Sequence, residues 1–167
     1  PWSLGRWIDE APEGYVGAAA VGYDEADAEC GPGVASGLRI KLSSIHVDDQ
    51  AKAHRFYTEV LGFQTKHDIP VGEGLRWITL VSPTGHDDVE LVLEPNDNPA
   101  AKAYQSALLA QGIPATAFEV DDVAAEHRRL VDAGVEFTMA PTPQGPVTLA
   151  VFADTCGNLI QIYQPTG

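Results

Sequence analysis

Five histidines and a scatter of carboxylates set the chemistry open to this chain. His46 leads them, because it closes LRIKLSSIHV at 38–47, which reads as a strand. Alternation along a strand puts Leu42, Ser44 and His46 on one face. An imidazole there titrates near neutral pH and suits acid–base work or metal ligation. The plainer reading is a rim histidine bonded to Asp48 or solvent. His67 ends a strand and His86 lies in a turn, neither with a partner evident from sequence. Ser43 and Ser44 have no evident base, and no nucleophile elbow, phosphate loop or HExxH pair occurs. Cys30 and Cys156 have no second thiol at zinc-binding spacing and form no disulfide framework. Free thiols in a reducing cytoplasm are expected. Trp77, in LRWITLV, would wall a site for a planar or apolar ligand if it faced inward. Alternation leaves open whether Trp77 or Arg76 does so, and a core position suits Trp77 equally well.

The elements that must position these residues are announced by a repeat. VDDQAKAHRFY at 47–57 and VDDVAAEHRRL at 120–130 share Val-Asp-Asp and then His-Arg at the same offset (His54-Arg55 and His127-Arg128). Each copy then reaches a glycine, Gly62 or Gly134, followed by an apolar residue. The aspartates offer helix N-caps and the glycines end the helices. A strand precedes each helix, and three follow it: FQTKHDI, LRWITLV and DVELVLE, then VEFTM, VTLAVFA and NLIQIY. Between the copies, Asn98 caps a short helix with Pro99 at its first position, and Gly112 ends it. The fold class is α+β: tandem βαβββ modules at about 38–95 and 114–164. His54 and His127, related by the repeat, are expected at surface or packing positions.

The chain's 167 residues suffice for one domain with a real core. A formal charge of −14 argues against nucleic acid as a partner. It permits a cationic ligand, although acidity more often serves solubility. No apolar run approaches the ~20 residues that span a bilayer, so a cytoplasmic protein without a membrane partner is expected. Residues 1–37 differ: they are rich in Gly, Ala and acidic residues, without sustained periodicity, and end in GPGVASG. They read as an N-terminal extension ahead of a single domain at 38–167, either a simple appended tail or one docked by Trp2 and Trp7 onto a groove or a partner subunit.

VDDQAKAHRFYTEVLGF, with Val47, Asp49, Ala53, Phe56, Tyr57, Leu61, Gly62 and Phe63 at motif positions, resembles the vicinal oxygen chelate superfamily of glyoxalases, bleomycin-resistance proteins and extradiol dioxygenases. The closing DTCGNLIQ supplies Asp154, Gly157 and Asn158 of that family's last motif, with Gln161 where the family has Glu. The resemblance implies that the modules curl into a cup that binds ligands, and that a homodimer forms. It also implies four metal-ligand slots, which here read Leu42, Glu90, Ala115 and Gln161. Leu and Ala have no donor atom, and one carboxylate with one amide makes a poor cation site. The expectation is therefore no cofactor and no metal, with a small molecule, apolar or cationic, bound in the cup. Ligand-lining positions would be Leu42, Ser44, Trp77, Ala115, Gln161 and Tyr163. The alternative is a glyoxalase-like lyase or isomerase, or a dioxygenase. It would use Glu90 and His46 as catalytic groups, Glu90 as a metal-free base, or a divalent metal ion on His46, Glu90 and Gln161.

Overall fold

Period-two apolar runs become strands here, and each Asp-Asp pair starts a helix. The computed structural model describes residues 37–72, 74–86 and 88–166. In chain order the elements are β1 (Leu42–Val47), α1 (Gln50–Arg55) running into a π-helical segment (Phe56–Val60), β2 (Gln64–Gly72), β3 (Leu75–Val81) and β4 (Glu90–Pro95). After these come α2 (Pro99–Ala110), β5 (Thr116–Glu119), α3 (Val123–Asp132), β6 (Phe137–Gln144), β7 (Val147–Ala153) and β8 (Leu159–Pro165). The expected docking of Trp2 and Trp7 lies outside the described residues. Among the described residues, no helix is long and apolar enough to cross a membrane.

The repeat is structural. Asp49 accepts a hydrogen bond from the Lys52 N–H and Asp122 one from the Ala125 N–H, so each module's helix is capped at the equivalent aspartate. The repeated histidines take packing positions: His54 Nε2 meets Thr65 Oγ1 at 2.7 Å, and the His127 ring packs edge-on against Phe137. Asn98 caps α2 through the Ala100 N–H, with Pro99 at the first position.

Each module forms a four-stranded mixed sheet, ordered β1-β4-β3-β2 in the first and β5-β8-β7-β6 in the second. The first and last strands of each module pair in parallel, so opposed residues share a face. One face of each sheet is apolar and covered by helices. Ile45, Val47, Ile78, Leu80, Leu91 and Leu93 from the first sheet join Ala150, Phe152, Ile160 and Ile162 from the second, with Phe56 and Tyr57, in one core cluster. A fully buried aromatic or Leu/Ile side chain there contributes about 1.5–3 kcal/mol.

The other faces carry the functional interest. Strand alternation gives them Leu42, Ser44 and His46 from β1, Trp77 and Thr79 from β3, and Glu90, Val92 and Glu94 from β4. From the second sheet they receive Ala117, Glu119, Val151, Leu159, Gln161 and Tyr163. Trp77 is thus on the helix-free face and Arg76 on the other, which settles the inward choice. Thr79, Glu90, Val92, Val151 and Leu159 are buried yet stand outside the core cluster. Side chains buried on the uncovered side of a sheet form the floor of a concavity.

Candidate functional site

Glu90 opens β4 directly opposite Leu42 and is only 5% exposed. A carboxylate so buried needs a counter-charge. It comes from β2, the edge strand two positions away in the sheet: Lys66 Nζ lies 3.1 Å from one carboxylate oxygen and His67 Nε2 lies 3.8 Å from the other. Burial pushes the Glu90 carboxyl up, but Thr79, the Lys66 ammonium and the His67 ring together hold it below its ordinary value. The fully buried Thr79 hydroxyl is near enough to contribute, yet it makes no hydrogen bond of regular geometry. A carboxyl lowered by folding stabilises the protein in full above its unfolded value of 4.5, and that contribution drains away as pH falls through the lower folded value. Urea unfolding across this acid range is therefore expected to show a shallower loss of stability in Glu90→Gln than in the wild type. Parallel curves would disprove the assignment.

His46 is set apart from Glu90. It stands opposite Glu94, whereas Glu90 stands opposite Leu42. Four residues along a parallel pair is roughly 13 Å, too far for two side chains to share one cation or act on one atom. The His46–Glu90–Gln161 metal set and the His46–Glu90 catalytic pair are therefore not assembled. Nor does His46 bond to Asp48, since its buried Nδ1 has no partner. Ala115 also needs correction. It is an exposed residue just ahead of β5, and the residue opposite Gln161 is Ala117. The β5–β8 register lies two residues nearer its capping aspartate than the β1–β4 register does, so counting back from the cap misses it. Ser44 donates to Glu94 at 2.7 Å and Tyr163 donates to Glu119 at 3.1 Å, giving each sheet a carboxylate braced by a hydroxyl. The Glu119 bond raises the Tyr163 phenol above its usual value.

Behind β1 lies a buried polar clamp formed by the loop at 154–158. Asp154 is fully buried and accepts from the Tyr57 hydroxyl, the Cys156 and Asn158 backbone N–H groups and Asn158 Nδ2. Four donors satisfy its charge without a cation. Gln105, from α2, accepts from Asn96 and donates to the carbonyls of His46 and Cys156 and to Asn158 Oδ1. Asn158 also donates to the His46 carbonyl at 2.9 Å. The loop of the second module thereby fixes the strand of the first that carries His46. Burial and the Asp154 charge push the Cys156 thiol up to about 12. Iodoacetamide in mildly alkaline buffer is expected to label Cys156 only after denaturation, as read by peptide mass spectrometry. Labelling of the folded protein would contradict this.

The tandem modules, the capped repeat and the closing loop set the chain beside known proteins. Residues 39–162 match the family model of the glyoxalase/bleomycin resistance protein/dioxygenase superfamily. The chain belongs to that superfamily. It is 56% identical to the uncharacterized protein YurT of Bacillus subtilis (strain 168) over 76% of this chain and 99% of that one. The crystal structure of UcmS2 is similar at 35% identity and a TM-score of 0.65, covering 75% of this chain and 97% of that one. TnmS3, an antibiotic binding protein from Streptomyces sp. CB03234, is 30% identical at a TM-score of 0.62, covering 77% and 97%.

The superfamily resemblance implies a divalent cation, and the donors here do not suit one. Leu42 and Ala117 have no ligating atom, Gln161 offers one amide, and the Glu90 carboxylate already faces an ammonium. Among the described residues, no three His, Cys, Asp or Glu side chains gather into a group able to hold a metal. Sequence reading missed Lys66, Thr79, Glu94 and Glu119, and gave His67 no partner. Their importance depends on which strands lie beside which, and one strand's own pattern does not carry that.

Proposed function

We propose that the protein is a metal-free small-molecule-binding member of this superfamily, holding an apolar or cationic ligand in the cup formed by its two sheets. The observation that carries this reading is the Lys66 ammonium 3.1 Å from Glu90, with Leu42 opposite, where a metal-dependent member would need open donor atoms. Ligand binding is further supported by where an unpartnered polar atom falls. Among the described residues, His46 Nδ1 is a buried side-chain polar atom without a partner, and His46 belongs to the helix-free face. Buried polar atoms left unpaired are rare and costly, and a ligand would complete this one. Trp77, Val92, Val151 and Leu159 suit an apolar body; Glu94, Glu119 and the net charge suit a cation. The likeness to an antibiotic binding protein points the same way.

The enzymatic alternative with Glu90 as a base is weaker. A carboxylate held low and paired with ammonium has little drive to take a proton near neutral pH. On the superfamily resemblance we take the protein to be a cytoplasmic homodimer; a single-chain mass in sedimentation velocity would remove the dimer. The binding reading is tested by a thermal-shift screen of apolar and cationic aromatic compounds in excess EDTA. Hits are expected to raise Tm in EDTA, and Trp77→Ala is expected to weaken them about tenfold. A screen in which no compound raises Tm would end this reading.

A further inference from the structure

The first sheet is not joined along its whole length. β7 pairs with β8 at all seven of its residues, from Val147–Pro165 to Ala153–Leu159. β3 is as long as β7, yet it pairs with β4 only at Thr79–Val92 and Leu80–Leu91. Continued, that register would bring Ile78, Trp77 and Arg76 level with Leu93, Glu94 and Pro95, and those pairs are absent from the ladder. Instead the amide of Gln50, at the start of α1, stands between the strands. Its Nε2 donates to the carbonyls of Arg76 (2.7 Å) and Leu93 (2.8 Å), and its Oε1 accepts from the Arg76 N–H (3.2 Å). Strand chemistry explains the substitution. The N–H groups of Glu90 and of Asn96, just past β4, donate towards β1, at the carbonyls of Lys41 and Val47. Alternation turns the backbone of Leu91, Leu93 and Pro95 towards β3. Proline has no N–H, so β4 lacks a donor for the Arg76 carbonyl, and Gln50 supplies one. In the second copy of the repeat Val123 stands in the place of Gln50, without a side-chain amide, and there the ladder is continuous.

We propose that Gln50 is a latch, and that the first sheet opens between β3 and β4 about a hinge at Thr79–Leu80. The hinge end is held by the two strand pairs and, beside them, by the Lys66–Glu90 ion pair. The other end is held by one half-buried side chain, whose hydrogen bonds water can replace at small net cost. Arg76 is tied to β2 through its ion pair with Asp68, so the two strands move together there. Trp77 moves with them, because it follows directly on Arg76 and belongs to the cup face. Release of Gln50 widens the cup on the Trp77 side, and re-forming its three hydrogen bonds closes it. This goes beyond the binding function proposed above and stands apart from it, since its test needs no ligand.

Native-state amide exchange of the full chain, followed by NMR in low urea, reads the latch residue by residue. Arg76 and Leu80 lie on one strand at an even spacing and turn their N–H groups to the same neighbour, so Leu80 is the control within the sheet. Thr148, inside the continuous ladder of β7, is the control in the second sheet. In the wild type, after correction for intrinsic rates, Arg76 is expected to exchange at least about tenfold faster than either control. Its rate should barely respond to low urea, as befits a local opening, whereas the controls speed up with urea as global unfolding does. Gln50→Ala removes the latch, and Gln50→Met keeps its bulk without the amide. Each is expected to speed Arg76 by about a further tenfold. The Trp77 indole N–H signal, assigned through Trp77→Phe, is expected to gain microsecond-to-millisecond exchange in both variants. An Arg76 amide as slow as Leu80, with the same urea dependence, would overturn the proposal from the wild type alone, because the sheet would then open only by unfolding. An Arg76 rate unchanged in both variants would overturn the role of Gln50. A Trp77 signal unmoved in both would overturn the coupling of the latch to the cup.

Discussion

Replacing Gly157 with alanine is expected to lower the free energy of unfolding by about 2–4 kcal/mol. Two costs add. Gly157 has φ +98°, where a side chain is strained, and a β-carbon there would lie 2.8 Å from Gln105 Nε2 and 3.0 Å from its Cδ. A free glutamine would swing aside. This one is bonded to Asn96, Asn158 and the carbonyls of His46 and Cys156, so moving it breaks a buried network that joins the modules. Gly112 provides the control. It has φ +69° with open space around its missing side chain, so Gly112→Ala should cost only about 1 kcal/mol. Urea unfolding measures both, as a lower midpoint at unchanged slope. Equal losses at the two sites would show that Gln105 can move aside without breaking the network.

Lys66→Met is the second large effect. Removing one partner of a fully buried ion pair typically costs about 3–5 kcal/mol. Glu90 is buried, but the Lys66 side chain is 33% exposed, so solvent already screens part of the interaction. A loss of about 1–3 kcal/mol is expected once that screening is allowed for. Adding Glu90→Gln should recover most of it, since the amide carries no charge to strand. The Glu90 carboxyl should also rise in Lys66→Met, seen by NMR titration, because the ammonium and its hydrogen bond no longer hold it low. If Lys66→Met were as stable as the wild type, with Glu90 titrating unchanged, the pair would have no energetic content.

The sequence was most legible where local pattern and tertiary role agree. LRWITLV and VTLAVFA are bounded by turns and alternate between core and cup, and they form β3 and β7 residue for residue. The expected first strand began too early. Leu38 and Ile40 are apolar yet 93% and 82% exposed, and β1 starts only at Leu42. The sixth strand extends beyond the expected VEFTM to Gln144, through Pro141 and Pro143, residues that argue against a ladder. They are tolerated because β6 is the edge strand of its sheet; Pro141 also falls where pairing with β7 is irregular, between Met139 and Thr142, and Pro143 pairs with Thr148. The π-helical turn at Phe56–Val60 has no sequence signal that we recognise.

At the site, residue type was legible and partnership was not. Glu90 and Trp77 could be picked out from strand patterns and the resemblance. That Glu90 pairs with Lys66 depends on β2 lying at the sheet edge with β3 between, an order set by tertiary packing. The misplacement of Ala115 has the same cause. A repeat fixes the distance to a helix cap, whereas strand register is fixed by which residues pair across the sheet.

The most direct test of the central claim is the metal content of untagged protein by elemental mass spectrometry, paired with calorimetric titration of divalent cations into wild type and Glu90→Ala. The account predicts no retained metal and no binding heat in either protein. Near-stoichiometric metal, or tight binding abolished by Glu90→Ala, would contradict it and return Glu90 to the role of a ligand.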